Sequence, residues 1–317
     1  MLRLLVSLLV LQWVCGSAWS DETLPAAKPV PRMQVIPLPR SEASVQEDGR
    51  ELTRLIYDSS LRRPFLYPIL GPSGRSLTRM GHPHDPNSHS HHNSVWISHH
   101  MVDGVDFWGD GGKGRIVQRS ITQFDDAEEE ALVQTENDWL GEEDKVLLKE
   151  FRSMRVRPLG EKTWLLVIDL VLASPAGEVT IGKTPFGFIG VRMAKTIGVK
   201  DGGGTIRNSA GGVNEKEVFW KPAQWVDYSG PIVRDTIEGV TLMDHPTNPS
   251  HPATFHVRDD GWMGASATFD AARTIRAGEP LKLRYGLWVH AGLSTVAQIE
   301  QQFNLFAKIG DPAAKMK

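Results

Sequence analysis

Short apolar runs, each closed by a turn signal, follow one another through most of this chain. That spacing leaves little room for crossover helices. Runs at 33–38, 43–46, 52–57, 65–70, 151–156, 164–172, 186–193, 240–243, 254–257 and 281–290 read as strands. Asp48-Gly49 marks a hairpin between two of them, and Gly71-Pro72-Ser73-Gly74 a turn after 65–70. The run 164–172 is nearly continuous around Asp169, as suits a strand buried on both faces. The expected fold is therefore all-β, a large antiparallel β-sandwich. One helix stands out at its end. Thr295 and Gln298 form a capping box, Val296, Ile299, Phe303 and Phe306 repeat at helical spacing, and Gly310 is the stop. The segment 125–134 fits a helical run or a solvated hairpin equally well. No clean linker interrupts 33–310, so these residues are expected to form one domain, followed by a short tail at 311–317.

The start of the chain reads differently. Residues 1–20 have the form of a secretory signal: Arg3, an apolar stretch over 4–14, then small residues before Asp21-Glu22. The stretch is short for a membrane span, and no later segment has the length of one. Residues 21–32, with Pro25, Pro29 and Pro31, form an extended leader. The expected location is thus secreted or periplasmic. Removal of the signal takes away Cys15, the chain's one cysteine, and with it both disulfides and thiol catalysis. The formal net charge of -3 speaks against broad nucleic-acid binding, which needs a basic surface.

Eleven histidines remain to be explained, and seven lie within 82–100. His82, His84 and His100 read as solvated members of a polar tract. Strand alternation would place His89 and His91 on one face and His92 on the other. Two imidazoles so spaced can bind a divalent metal, with His99, Asp106 or His245 as third ligand, or they can move protons near neutral pH. Val95 onward reads as a strand and Asp103-Gly104 as a turn. Trp96 and Trp108 stand close by; indole faces stack on sugar C–H faces, and Asp106 suits sugar hydroxyls.

A second polar group follows the run 240–243. Asp244-His245-Pro246-Thr247-Asn248-Pro249 is a proline-fixed loop bearing Asp, His and Asn, and His256 and Arg258 share a face of the next strand. Arg258 can clamp a carboxylate or a hydroxyl, or pair with Asp259 or Asp260. A third set comprises Asn214, Glu215, Glu217, Trp220, Trp225, Asp227 and Tyr228. Gly202-Gly203-Gly204 lacks the Lys-Ser/Thr ending of a phosphate loop and reads as a mobile loop.

Several of these motifs together resemble one family. They are Arg63-Pro64-Phe65-Leu66-Tyr67-Pro68, His89-Ser90-His91-His92-Asn93-Ser94-Val95-Trp96, Val102-Asp103-Gly104-Val105-Asp106-Phe107-Trp108, Asp244-His245-Pro246-Thr247-Asn248-Pro249 and Val257-Arg258. The resemblance, over about 50–292, is to a bacterial domain family of unknown function with the automated label "methane oxygenase PmoA". The label is not literal, because the methane monooxygenase subunit of that name is an integral membrane protein. The resembling family is common in bacteria that degrade complex glycans, which implies carbohydrate processing. It carries an acidic residue where Ser88 stands and an Arg where Asn93 stands, so roles at those two positions do not transfer. The ending 281–290 is similar to late strands of galactose-mutarotase-like supersandwiches.

The leading expectation is a secreted carbohydrate-processing enzyme acting by epimerisation, elimination or glycosidic cleavage. His89, His91, His92 and His245 would be its catalytic groups. Trp96, Asp106, Trp108, Asp244, Asn248 and Arg258 would bind the carbohydrate or glycoside. One alternative is a metal-dependent oxidase or oxygenase holding its metal on His89, His91 and His99. Another is a non-catalytic glycan-binding module. The 89–108 and 244–258 segments are expected to converge.

Overall fold

The hairpin expected at Asp48-Gly49 forms as the dipeptide dictates. Both residues lie in the left-handed region, with φ of 49° and 76°, and close a two-residue turn whose twist matches its strands. The computed structural model describes residues 29–81 and 89–310. The expected signal, all but the last four residues of the leader, His82, His84 and the tail 311–317 lie outside them. Beginning at Pro31, the chain forms one compact unit.

Nineteen strands are described. In chain order they are β1 (Met33–Leu38), β2 (Glu42–Glu47), β3 (Arg50–Ile56), β4 (Phe65–Ile69), β5 (Val95–His99), β6 (Arg115–Asp125), β7 (Ala131–Leu140), β8 (Val146–Gly160), β9 (Thr163–Ala173) and β10 (Glu178–Ile181). Then follow β11 (Gly187–Arg192), β12 (Thr205–Asn208), β13 (Lys221–Pro222), β14 (Trp225–Val233), β15 (Thr236–Asp244), β16 (Thr254–Arg258), β17 (Trp262–Ser266), β18 (Arg273–Arg276) and β19 (Leu281–Ala291). They pair antiparallel in a nine-stranded sheet, order β1-β2-β3-β4-β5-β11-β17-β16-β13, and an eight-stranded sheet, order β12-β14-β15-β19-β9-β8-β7-β6. β10 and β18 form a separate pair. The all-β antiparallel sandwich read from the sequence is the observed fold.

Burial explains the sequence pattern of β9. Leu166, Ile168, Leu170 and Leu172 point into the main core, shared with Val95 and Ile97 of the other sheet. Leu165 and Val167 point outward, under α3 (Val296–Phe306). Ile299, Phe303 and Phe306 seat that helix on them, and on Trp225, Met243 and Trp288. Each fully buried Phe or Ile adds about 1.5–3 kcal/mol of hydrophobic stabilisation. The Thr295–Gln298 capping box is present. Two details differ from expectation. Val296 is half exposed and outside the stripe, and the helix ends at Phe306 rather than Gly310. The helix closes through two tighter i→i−3 bonds, Lys308 N–H to the Leu305 carbonyl (3.2 Å) and Ile309 N–H to the Phe306 carbonyl (3.0 Å), and the buried Arg284 guanidinium then donates to the carbonyls of Ile309 (2.6 Å) and Gly310 (3.2 Å).

The segment 125–134 resolves as the β6–β7 hairpin rather than a helix. At Gly202-Gly203-Gly204 the helix α1 (Val199–Gly202) ends, with Gly203 at φ 77° as its left-handed cap. A second short helix, α2 (Asn214–Val218), precedes β13. Among the described residues no helix is long and apolar enough to cross a membrane.

Candidate functional site

The site grows from strand alternation on the outer face of the nine-stranded sheet. Val95 and Ile97 of β5 face the main core, so Trp96 between them faces outward. Its row continues across the strands as Phe65–Trp96–Gly190–Gly264–His256. The next row outward is Arg192–Trp262–Arg258. The two glycines leave a shallow trough. A Cβ on Gly190 would stand 2.7 Å from the Trp96 indole and 2.8 Å from that of Trp262. Only glycine lets both indoles lie down on the sheet. Trp96, Trp108, Trp262 and Phe65 then form an apolar cluster apart from the main core.

Two loops roof this floor. Residues 89–92 form a turn rather than a strand, closed by the His92 N–H donating to the His89 carbonyl (3.1 Å). The expected split of His89 and His91 from His92 is thereby corrected, because a turn gathers side chains that a strand alternates. His92 stacks on His89 (4.6 Å, 13° between planes) and on Trp262 (4.9 Å, 21°), while His91 meets it edge-on (4.5 Å). In the other loop, Asp103-Gly104 makes the expected turn, with φ of 48° and 80°. The Asp106 carboxylate then accepts the N–H groups of Trp108 (2.6 Å) and Gly109 (3.1 Å), fixing the Trp108 backbone. Arg63, 1 % exposed, ties the loops together by donating to the carbonyls of Trp108 (2.7 Å) and His91 (3.3 Å). Burial, with the neighbouring charge of Arg62, lowers its pKa to about 9.

Between floor and roof lies a cavity of about 990 Å³. His91, Trp108, Phe186, His256, Arg258 and Trp262 are among its walls, as are His89, His92, His100 and Asp106. Desolvation dominates the titration of its imidazoles. His91 is lowered by burial although nearby Asp110, 3.4 Å from Nδ1, acts to raise it. His92 is held far below the ordinary range by burial and by the charges of His91 and Arg192. Burial, then the charge of Arg258, lowers His256 to about 4. These three rings are therefore neutral at pH 7. Burial would raise Asp260, but hydrogen bonding from Arg192 (2.8 Å) and its charge outweigh this and lower it. Arg258 pairs with Glu215 (3.0 Å) of α2, neither with Asp259 nor with Asp260. Glu215 and Asp259 in turn exchange backbone-to-carboxylate hydrogen bonds (2.8 and 3.0 Å), locking α2 to the end of β16.

Sequence spacing puts His256 on the Arg258 face without marking it as a site residue; the structure sets it in the cavity wall. It is 9 % exposed, and both of its ring nitrogens are buried without a hydrogen-bond partner. Phe186 (5.2 Å), Phe219 (5.0 Å) and Trp262 (6.0 Å) surround it. Trp96, by contrast, is buried as part of the floor beneath the cavity.

The expected convergence of 89–108 with 244–258 is half realised. The strand residues His256 and Arg258 join the histidine turn; Asp244, His245 and Asn248 do not line the cavity. Asp244 accepts from Asn248 (2.6 Å), the Ala253 N–H (3.0 Å) and His251 Nδ1 (2.9 Å). Asn248 exchanges two bonds of 2.7 Å with the Arg284 backbone, extending the sheet where β15 leaves it. His245 accepts the Thr247 N–H (3.2 Å) at Nδ1 and packs edge-on against Phe306 of α3. The proline-fixed loop therefore serves as a buckle for the helix: Asp244 and Asn248 spend their polar groups internally, and His245, whose Nε2 is buried without a partner, packs against Phe306 away from the cavity.

His99 is not brought to His89 and His91 either. It follows Val95 and Ile97 into the interior, where it meets Thr268 Oγ1 (2.9 Å) and the Met101 N–H (3.0 Å). Nor does the turn itself present a ligand set. Stacked rings hold their in-plane lone pairs side by side, whereas a metal needs them aimed at one point. Among the described residues no group of three His, Asp or Glu side chains is disposed to hold a metal ion.

Comparisons with known proteins give the following. No curated protein matches the sequence at a significant level. Galactose 1-epimerase from Lactobacillus acidophilus NCFM is similar over 84% of this chain and 100% of its own, at 8% identity and a TM-score of 0.37. A heparinase III gene product is similar over 79% of this chain, at 10% identity and a TM-score of 0.29, but the match spans only 30% of that protein. At such scores the likenesses carry no argument about function. The sequence match is decisive where they are not. A family model spans residues 42–304, taking in both roof loops and the glycine-floored sheet: the chain belongs to the family of unknown function DUF6807.

Proposed function

We propose that the cavity binds a carbohydrate and that its imidazoles move a proton on it. The observation that carries this reading is His256. A neutral imidazole offers one donor and one acceptor, as a sugar hydroxyl does, and here both ring nitrogens are buried and unmet. An unmet buried polar group costs about 1–3 kcal/mol, which a ligand hydroxyl would offset once the ring turns a nitrogen toward the cavity it lines. The indole and phenyl faces of Trp108, Trp262 and Phe186 supply apolar surface for a sugar's C–H face. His91, neutral and oriented by Asp110, suits a general base, with His89 and His92 as its neighbours. Arg258, steadied by Glu215, and Asp106 would orient hydroxyls. His245, Asp244 and Asn248 have no part in this reading, and Trp96 only supports the floor. The signal-like residues 1–20 favour action outside the cytoplasm.

The test is incubation of the full chain with a panel of plant and algal oligosaccharides. Mass spectrometry reads cleavage or elimination, and proton NMR reads epimerisation. Conversion of at least one sugar is expected, lost in His91→Ala and in His256→Gln at unchanged melting temperature. Variants as active as the wild type would contradict the assignment. Saturable binding with the sugar recovered unchanged would instead make this a glycan-binding module.

A further inference from the structure

Seven of the eight tryptophans among the described residues are buried; Trp220 is 47 % exposed. Its backbone is also unusual. Its φ of +55° is in the left-handed region, which a bulky side chain seldom adopts and which costs about 1–3 kcal/mol. The conformation is held by the Trp220 N–H donating to the Phe255 carbonyl (2.8 Å), at the start of the β13–β16 pairing. Strain of this kind persists where the fold over-determines it, and here it presents an indole to solvent beside the cavity.

The indole does not line the cavity itself but connects to its wall through Phe219 and His256. Trp220 stacks on Phe219 (4.5 Å, 22°), Phe219 meets His256 edge-on (5.0 Å), and His256 meets Trp262 edge-on (6.0 Å). The Arg258 guanidinium lies over Phe219 at 5.6 Å. An unbroken run of rings thus leads from the cavity floor, past the unpartnered imidazole, to an exposed aromatic face 6.3 Å from His256. Phe219 takes one face of the indole and Phe269 meets it at an angle (5.7 Å, 60°), yet about half of the side chain stays open to a ligand.

We propose that Trp220 is a second sugar subsite, holding the residue next to the ring bound in the cavity, so that the ligand is an oligosaccharide rather than a monosaccharide. This rests on the carbohydrate reading above. Stacking on one indole is expected to strengthen binding by about tenfold.

The experiment titrates the full chain with cello-, manno-, xylo- and galacturono-tetraose and with the matching monosaccharides, by calorimetry. At least one tetraose is expected to bind about tenfold more tightly than its monosaccharide. Trp220→Gly should bring that ratio close to one, and Trp220→Tyr should keep most of it. Glycine suits the left-handed backbone, so Trp220→Gly should melt no lower than the wild type. A ratio unchanged in Trp220→Gly, or a monosaccharide binding as tightly as its tetraose, would overturn the subsite and leave the carbohydrate reading standing. No binding by any series to the wild type would overturn both.

Discussion

Gly190 and Gly264 face each other across β11 and β17, and a Cβ on either would stand 2.8 Å from the indole of Trp262. The cavity exists because these two positions lack side chains. Gly190→Ala and Gly264→Ala should each lift Trp262 off the sheet, at about 1–3 kcal/mol for overpacking. Urea unfolding and near-ultraviolet circular dichroism check this. Wild-type midpoints and aromatic spectra in both variants would contradict it.

Arg63 joins the two roof loops through the carbonyls of His91 and Trp108. Lysine has neither the forked geometry nor the reach to serve both. Arg63→Lys should therefore lower stability by about 1–3 kcal/mol, the cost of a buried acceptor left unmet. It should also weaken sugar binding by more than that loss of stability alone explains. Calorimetric titration at a temperature where the variant is fully folded separates the two. Unaltered affinity there would show that the loops hold their positions without Arg63.

Acid should destabilise the fold in a defined window. Burial and Arg258 lower His256 to about 4; burial and Arg284 lower His245 to about 4. The same groups in the unfolded chain take up protons from about 6.5. The unfolded state thus binds more protons between about pH 6.5 and 4, so stability is full above this window and falls as pH falls through it. Each imidazole contributes a few kcal/mol at most, on the order of 1.4 kcal/mol per unit. His256→Gln removes one titration, and its unfolding midpoint should depend less steeply on pH between 4 and 6.5. Identical slopes for variant and wild type would refute the assignment of the window to buried imidazoles.

The Asp244–Asn248 loop fastens α3 and lies outside the cavity. His245→Ala should lower stability by about 1–3 kcal/mol through lost packing on Phe306. Sugar binding should survive at temperatures where the variant is folded. Loss of binding without loss of stability would return His245 to the site.

Much of the fold was legible because period-two patterning and turn chemistry act locally. Asp48-Gly49, Asp103-Gly104 and the Thr295–Gln298 cap read directly from neighbours in sequence. The doubly buried β9 read from its unbroken apolar run, and His256 and Arg258 shared a face as spacing required. Strands such as β17 did not announce themselves: Trp262–Ser266 is buried on both faces with a glycine in the middle, so it shows no alternation. The histidine turn departs from strand alternation because one backbone bond, from the His92 N–H to the His89 carbonyl, gathers side chains that a strand would separate. The buckle at 244–248 looked like a site because the residues that complete a sheet edge internally are those that bind ligands. Only knowing that Asn248 spends its amide on the Arg284 backbone tells the two apart.

The central claim is that His256 and His91 meet the ligand while His245 and His99 do not. Histidine ring-nitrogen NMR on the full chain, recorded with and without the oligosaccharide it converts or binds, tests this directly. The account predicts shifts at the His256 and His91 ring nitrogens, with His245 and His99 unmoved. A sugar that binds yet leaves His256 and His91 unshifted, or moves His245 and His99 instead, would contradict it.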